Sequence, residues 1–495
     1  MKRRNFLRNI GFAGGVFALP STMSEAKGAT FENDNELVIS GHVLCAGKGI
    51  EGVVVTDGVQ VLKTNQNGAY RFSVKENADF VYISSPAGYA FDHSNFIANF
   101  YISVKGKRGI LNHDFVLTKL NSNDLRHNFV VWADTQMISV SDCDQLKATT
   151  VPDFKKLIQQ YPDNTLFHGI GCGDLVWDKL DFFKDYKEAI AMTGVPFYNV
   201  IGNHDLDLSS RTDDYSAETF KQQFGPTYFS YNRGAIHYVV LDDVFFLGAA
   251  KKYIGYISEQ QLAWLEKDLQ MVEHGTTIVL SLHIPTYTGA QTRNKDKDED
   301  NLGGTVSNRK KLYSLLAPYK VHIMSGHTHF NESWEDGNIM EHNHGTVCGA
   351  WWTGPICKDG TPRGYGVYEV NGSDIKWFYK STGMENNHQL RIYQKGYAKD
   401  FPNEIAINIW NWDLKWKVEW YENGVLMGMP QQRIAKDPWA VELYEGPNLP
   451  KKHKFVEPSL TEHLFFITPS VNAKTIKVKA TDRFGNVYEE EVKIS

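Results

Sequence analysis

Five times between residues 129 and 329, a short apolar run stops and a side chain able to ligate a metal or move a proton follows at once. Residues 129–133 lead to Asp134-Thr135-Gln136, residues 166–172 to Gly173-Asp174 and then Asp178, and residues 197–201 to Gly202-Asn203-His204-Asp205. Residues 277–282 lead to His283, and residues 321–325 to Gly326-His327-Thr328-His329. Apolar runs of this length read as buried strands, while residues 258–269, with a serine cap and apolar positions at helical spacing, read as an amphipathic helix. Strands alternating with helices predict an α/β domain, in which ligands bind beyond the carboxyl ends of the strands. Residues as far apart as Asp134 and His329 are therefore expected in one pocket.

The residue types at those ends point to a chemistry. Carboxylates, imidazoles and amide oxygens together suit two divalent cations of borderline hardness, and a carboxylate has an oxygen for each. Asp174 is the natural bridge. Glycines before Asp174, Asn203 and His327 predict sharp backbone turns. An extended His327-Thr328-His329 segment would point both imidazoles to the same side.

Asp-x-Gln, Gly-Asp-x-x-x-Asp, Gly-Asn-His-Asp, a lone His after a strand and Gly-His-x-His, in this order over residues 128–379, resemble the calcineurin-like metallophosphoesterase superfamily. The resemblance implies an α/β/β/α four-layer sandwich around a dinuclear site. One metal would sit on Asp134, Gln136, Asp174 and His329, and the other on Asp174, Asn203, His283 and His327. His204 corresponds to the catalytic imidazole that faces the phosphate, with Asp178 or Asp205 as candidate orienting carboxylates. The implied reaction is in-line hydrolysis of phosphate mono- or diesters by a hydroxide bridging two cations. The expected substrate is a small-molecule or glycan-linked phosphoester.

One position departs from the pattern. Gln136 stands where the superfamily usually has a histidine, and an amide oxygen is neutral, weakly basic and harder than an imidazole nitrogen. Of Mn, Fe, Zn and Mg, the expected preference moves toward Mn, with weaker occupancy at one position.

Around this block, residues 35–120 and 388–495 run in short β-rich pieces separated by turn signals such as Asn67-Gly68 and Asn423-Gly424, which predicts two all-β sandwich domains, the first of them antiparallel, flanking a catalytic domain at 125–385. Such flanking modules are similar to those of exported bacterial phosphoesterases. Residues 1–26 read as a signal peptide of twin-arginine type, with Arg3-Arg4 before an apolar run, and predict export to a bacterial periplasm. The charged run 295–300 reads as a solvated loop. A net charge of -6 provides no field for gripping a nucleic-acid scaffold, and no stretch has the apolar length of a membrane span. Gln136 and the tryptophan-rich tail also motivate a reading from another class, a noncatalytic carbohydrate- or surface-binding protein retaining a degenerate metal site.

Overall fold

In the computed structural model, which describes residues 36–293 and 302–494, strand Arg126–Trp132 shows how the central domain is layered. Phe129 and Val131 join an apolar cluster shared with a second sheet, whereas Val130 and Trp132 pack under helices Val151–Ile158 and Phe183–Thr193. Successive side chains leave opposite faces of a strand, so a strand covered on both faces must be apolar throughout. The predicted signal segment 1–26 and the charged run 295–300 lie outside the described residues.

The first central sheet has seven strands, in the order Asp374–Ser381, Gly364–Asn371, Arg126–Trp132, Leu166–Cys172, Phe197–Val200, Ile97–Ala98 and His93–Ser94. The second has six: Phe229–Arg233, Ile236–Val240, Thr277–Ser281, Lys320–Ser325, Ile339–Asn343 and Glu332–Asp336. Phe129, Val131 and Tyr198 of one sheet and Val239, Leu280 and Ile323 of the other share one core cluster, which also takes Leu262, Leu265 and Leu312 from helices Glu259–Leu269 and Arg309–Leu316. The result is the α/β/β/α arrangement. Helix Glu259–Leu269 starts at the expected cap, where Ser258 Oγ accepts the Gln261 N–H at 3.3 Å. Strands Arg126–Trp132, Leu166–Cys172 and Phe197–Val200 run parallel, as do Thr277–Ser281 and Lys320–Ser325. Within each sheet the strand ends that carry the polar motifs therefore lie along one edge.

The flanking regions differ from the sequence expectation in three respects. Leu37–Cys45 pairs in parallel with Gly109–Asn112 and Phe115–Leu117, so the N-terminal region is a mixed and not an antiparallel sandwich. Turn signals report only strands joined by hairpins, and these partners are joined by a long excursion. Ile97–Ala98 leaves the N-terminal block and pairs in parallel with Phe197, extending the central sheet. The C-terminal region holds two four-stranded sheets but also helix Pro438–Tyr444, started by Asp437, whose Oδ1 accepts the N–H groups of Trp439 and Ala440 at 3.0 and 2.9 Å.

Trp410, Trp416 and Trp420 are 1%, 8% and 9% exposed and fill the interior of this region. The tryptophan-rich tail is thus explained largely by packing, which removes its support for the carbohydrate-binding reading. No helix among the described residues is long and apolar enough to cross a membrane.

Candidate metal centre

Just beyond the strand ends, the backbone adopts a conformation that L residues normally avoid. Asp134, Gln136, Asp174, Asp178, His327 and His329 have φ of 51°, 37°, 50°, 56°, 70° and 59°. Each such residue costs on the order of 1–3 kcal/mol, and strain of this kind persists where surroundings over-determine it. The expected extended His327-Thr328-His329 is corrected by these angles. A left-handed turn, with the Thr328 N–H donating to the Gly326 carbonyl at 2.8 Å, interrupts the strand direction at the sheet edge.

The preceding glycines act in two different ways. Gly173 makes the expected turn, with φ 78°. Gly202 and Gly326 are not in the left-handed region; they permit close approach instead. A Cβ on Gly202 would lie 2.1 Å from the Asp174 backbone nitrogen, and one on Gly326 would lie 2.6 Å from Asp134 Oδ2.

The structure brings all seven proposed ligands together in two groups that share Asp174. In the first group, Gln136 Nε2 donates to Asp174 Oδ2 at 2.6 Å, and His329 Nε2 lies 3.3 Å from Asp134 Oδ1. In the second, His283 Nε2 lies 3.2 Å from Asp174 Oδ1, 3.2 Å from Asn203 Oδ1 and 3.3 Å from His327 Nδ1. The His283 Nδ1–H donates to the Cys172 carbonyl at 3.0 Å, which leaves its Nε2 lone pair available. The Asp134 carboxylate ties the groups together by accepting the His327 N–H at 3.0 Å through Oδ2.

These donors fit cations. The ligand atoms of Asp174, His283 and His327 lie within 4.8 Å of one another. In the other group, Asp134 Oδ1, Gln136 Oε1 and His329 Nδ1 are buried without a hydrogen-bond partner. A buried polar atom left unpaired costs about 1–3 kcal/mol, and a cation accepting the lone pairs would offset that cost. The field points the same way. Burial works to lower the His283 imidazole, yet the Asp174 carboxylate, helped by Asp134, pushes it up to about 10. Burial would raise Asp174, but His283 and His204 hold it well below the usual carboxylate range. The pocket favours positive charge, as a proton or as a metal.

His204 lies beside the donors and not among them. Its Nδ1 is 2.7 Å from Asp178 Oδ1, and its backbone N–H donates to Asp174 Oδ1 at 2.9 Å. Burial opposes protonation of this imidazole, but Asp174 and Asp178 raise its pKa above the ordinary histidine value. Asp205, the other candidate orienting carboxylate, is engaged elsewhere. Its Oδ2 accepts the N–H groups of Gly202 and Leu175 at 2.9 and 3.1 Å, and its Oδ1 accepts the Val176 N–H at 3.1 Å. It clamps two strand-end loops to each other, and burial, followed by the nearby Asp174 charge, pushes its carboxyl up to about 7.

Two further residues support the site, of which the sequence reading missed Asp243. Asp243, fully buried, accepts the N–H groups of His283 and Ile284 through Oδ1 at 3.1 and 3.2 Å. Its signal was present, because Leu241-Asp242-Asp243 follows strand Ile236–Val240 just as the other motifs follow theirs. The other is Trp351, in a segment that reads from the sequence as an aromatic wall for a substrate or, more readily, as a buried tryptophan in a β-turn; its ring stacks on His329 with centroids 4.2 Å apart.

Known protein families match most of the chain. Models for the N terminal of calcineurin-like phosphoesterase, for calcineurin-like phosphoesterase itself and for its C terminal match residues 37–120, 127–331 and 341–488. The mouse (Mus musculus) serine/threonine-protein phosphatase CPPED1 is 29% identical over 172 residues, covering 32% of this chain and 52% of the mouse protein. A protein of Arcobacter nitrofigilis named "Probable glycerophosphodiester phosphodiesterase GpdQ" is 27% identical over 154 residues, 30% of this chain and 50% of that protein. The chain thus spans about half the length of these curated relatives. Among solved structures, purple acid phosphatase PPD1 of yellow lupin (Lupinus luteus) aligns at 13% identity and a TM-score of 0.37, covering 67% of each chain.

Proposed function

Because the chain belongs to the calcineurin-like phosphoesterase family, we propose that it is an exported, dinuclear-metal phosphoesterase that hydrolyses phosphate mono- or diesters. The observation that carries this reading is the division of Asp174 between two donor groups, Oδ2 meeting Gln136 and Oδ1 meeting His283. Asp134, Gln136, Asp174 and His329 would hold one cation, and Asp174, Asn203, His283 and His327 the other. Bound divalent cations would neutralise phosphoryl charge and make a water acidic enough to supply a nucleophile near neutral pH.

The chain's own residues supply the rest. Asp178 holds the Nδ1 proton of His204 and orients the ring, which leaves Nε2 to protonate the departing alkoxide. Asp205 keeps the loops bearing Asp174 and Asn203 at a fixed separation through its three backbone hydrogen bonds.

Gln136 supports Mn²⁺ as the favoured ion, since an amide oxygen makes its position richer in oxygen donors. The basic residues 2–8 and the apolar run through Leu19 support export to a bacterial periplasm. A small-molecule or glycan-linked phosphoester is the proposed substrate; the names of the relatives include both a phosphatase and a phosphodiesterase.

The test is hydrolysis of p-nitrophenyl phosphate and bis(p-nitrophenyl) phosphate with Mn²⁺, after chelation, and after Mn²⁺ is restored. At least one ester should be cleaved, with activity lost on chelation and recovered with the ion. A metal-loaded protein inert toward both would overturn the reading. Metal analysis of protein purified without added metal should find one position incompletely filled, and two full equivalents of iron or zinc would contradict the Mn²⁺ preference.

A further inference from the structure

Beside the ligands stands a group of aromatic rings that the proposed chemistry does not use. The Trp177 ring lies next to His204 and 6.1 Å from Trp351, whose ring stacks on His329. From the C-terminal region, Phe455 approaches Trp177 and Trp351 at 5.9 and 5.3 Å. Three rings from distant parts of the chain thus run from the imidazole of one donor group to the proton-donating side of the site.

Packing accounts for only part of this group. Trp352 is 6% exposed and its Nε1–H donates to the Thr135 carbonyl at 2.8 Å. Its neighbour Trp351 is only partly buried, against the small cluster that holds Ile356, Ala440 and Tyr444, and both residues sit in the left-handed region, with φ of 50° and 59°. Phe455 is 56% exposed although its ring meets two tryptophans, so the three rings present an apolar face to solvent. Trp351 and Phe455 also line a cavity of about 370 Å³, together with Lys358, Val456 and Pro458. That volume lies within the range of small-molecule sites.

We propose that Trp177, Trp351 and Phe455 form a subsite that binds a ring carried by the organic group of the phosphoester. The inference rests on the phosphoesterase reading and names the substrate class for that site. With the phosphoryl group among the metal ligands, the organic group extends toward the aromatic wall. An aromatic face accepts either a flat ring, such as an aryl group or nucleobase, or the C–H face of a saturated ring, such as a pyranose.

Binding of phosphonates, which cannot be hydrolysed as esters, tests the subsite without turnover. Titration calorimetry on the full-length, Mn²⁺-loaded protein would compare methylphosphonate, phenylphosphonate and cyclohexylphosphonate. At least one ring compound should bind about tenfold more tightly than methylphosphonate, and Phe455→Ala should bring that ratio close to one. Phe455 is exposed, so the variant retains its core. Tighter phenylphosphonate binding would identify the flat-ring class, and tighter cyclohexylphosphonate binding the saturated class. Wild-type protein that does not distinguish ring from methyl, or a Phe455→Ala protein that keeps the ratio, would overturn the subsite. Hydrolysis without ring preference would remove the subsite alone, whereas ring-selective binding without hydrolysis of any ester would remove the hydrolase reading.

Discussion

Asp174→Asn should lower hydrolysis of either p-nitrophenyl ester on the order of a thousandfold and reduce bound metal in both positions together. Loss of a group that merely supports a ligand already costs about 10–100-fold in metal affinity, and Asp174 contributes an oxygen directly to each donor group. Asparagine keeps the shape but removes the negative charge that opposes the His283 and His204 imidazoles. It also presents an N–H₂ group to one side of the site, where an acceptor is required. Metal content and a thermal melt on the same sample separate the outcomes. A folded variant with two bound equivalents would exclude Asp174 as the shared ligand.

His204→Ala should behave differently, with turnover falling about 10²–10⁴-fold while metal content stays at the wild-type level. The structure predicts this separation because the His204 ring meets Asp178 and Trp177, and only its backbone N–H touches a proposed ligand. Alanine keeps that N–H. The effect should be largest for esters with poor leaving groups, since an alkoxide needs the proton and p-nitrophenolate scarcely does. Asp178→Asn should cost less than His204→Ala, because an amide oxygen can still accept the Nδ1–H. Equal rates for wild type and His204→Ala on an alkyl phosphate would exclude the imidazole from proton transfer.

The candidate metal centre is legible in the sequence because its information is local. A strand end, a glycine and a ligand-type side chain occupy neighbouring positions, and the parallel pairing of strands carries each motif to one edge. The same rule applies to Asp243, which follows strand Ile236–Val240 and accepts the His283 N–H. The assignment of Asp178 or Asp205 to His204 was not decidable on that basis. Both are carboxylates near the imidazole in sequence, and their roles depend on whether nearby backbone N–H groups already occupy their oxygens.

By itself, the sequence determined the fold class, the candidate ligands and their order, since strand periodicity and side-chain chemistry act over a few residues. Only the tertiary structure decided which carboxylate meets His204, and that Phe455 stands beside Trp177 and Trp351. Contacts of that kind join segments up to 278 positions apart, Trp177 and Phe455 among them. No local pattern encodes them, because they arise when separately folded surfaces pack and the orientation of each ring is set by what lies against it.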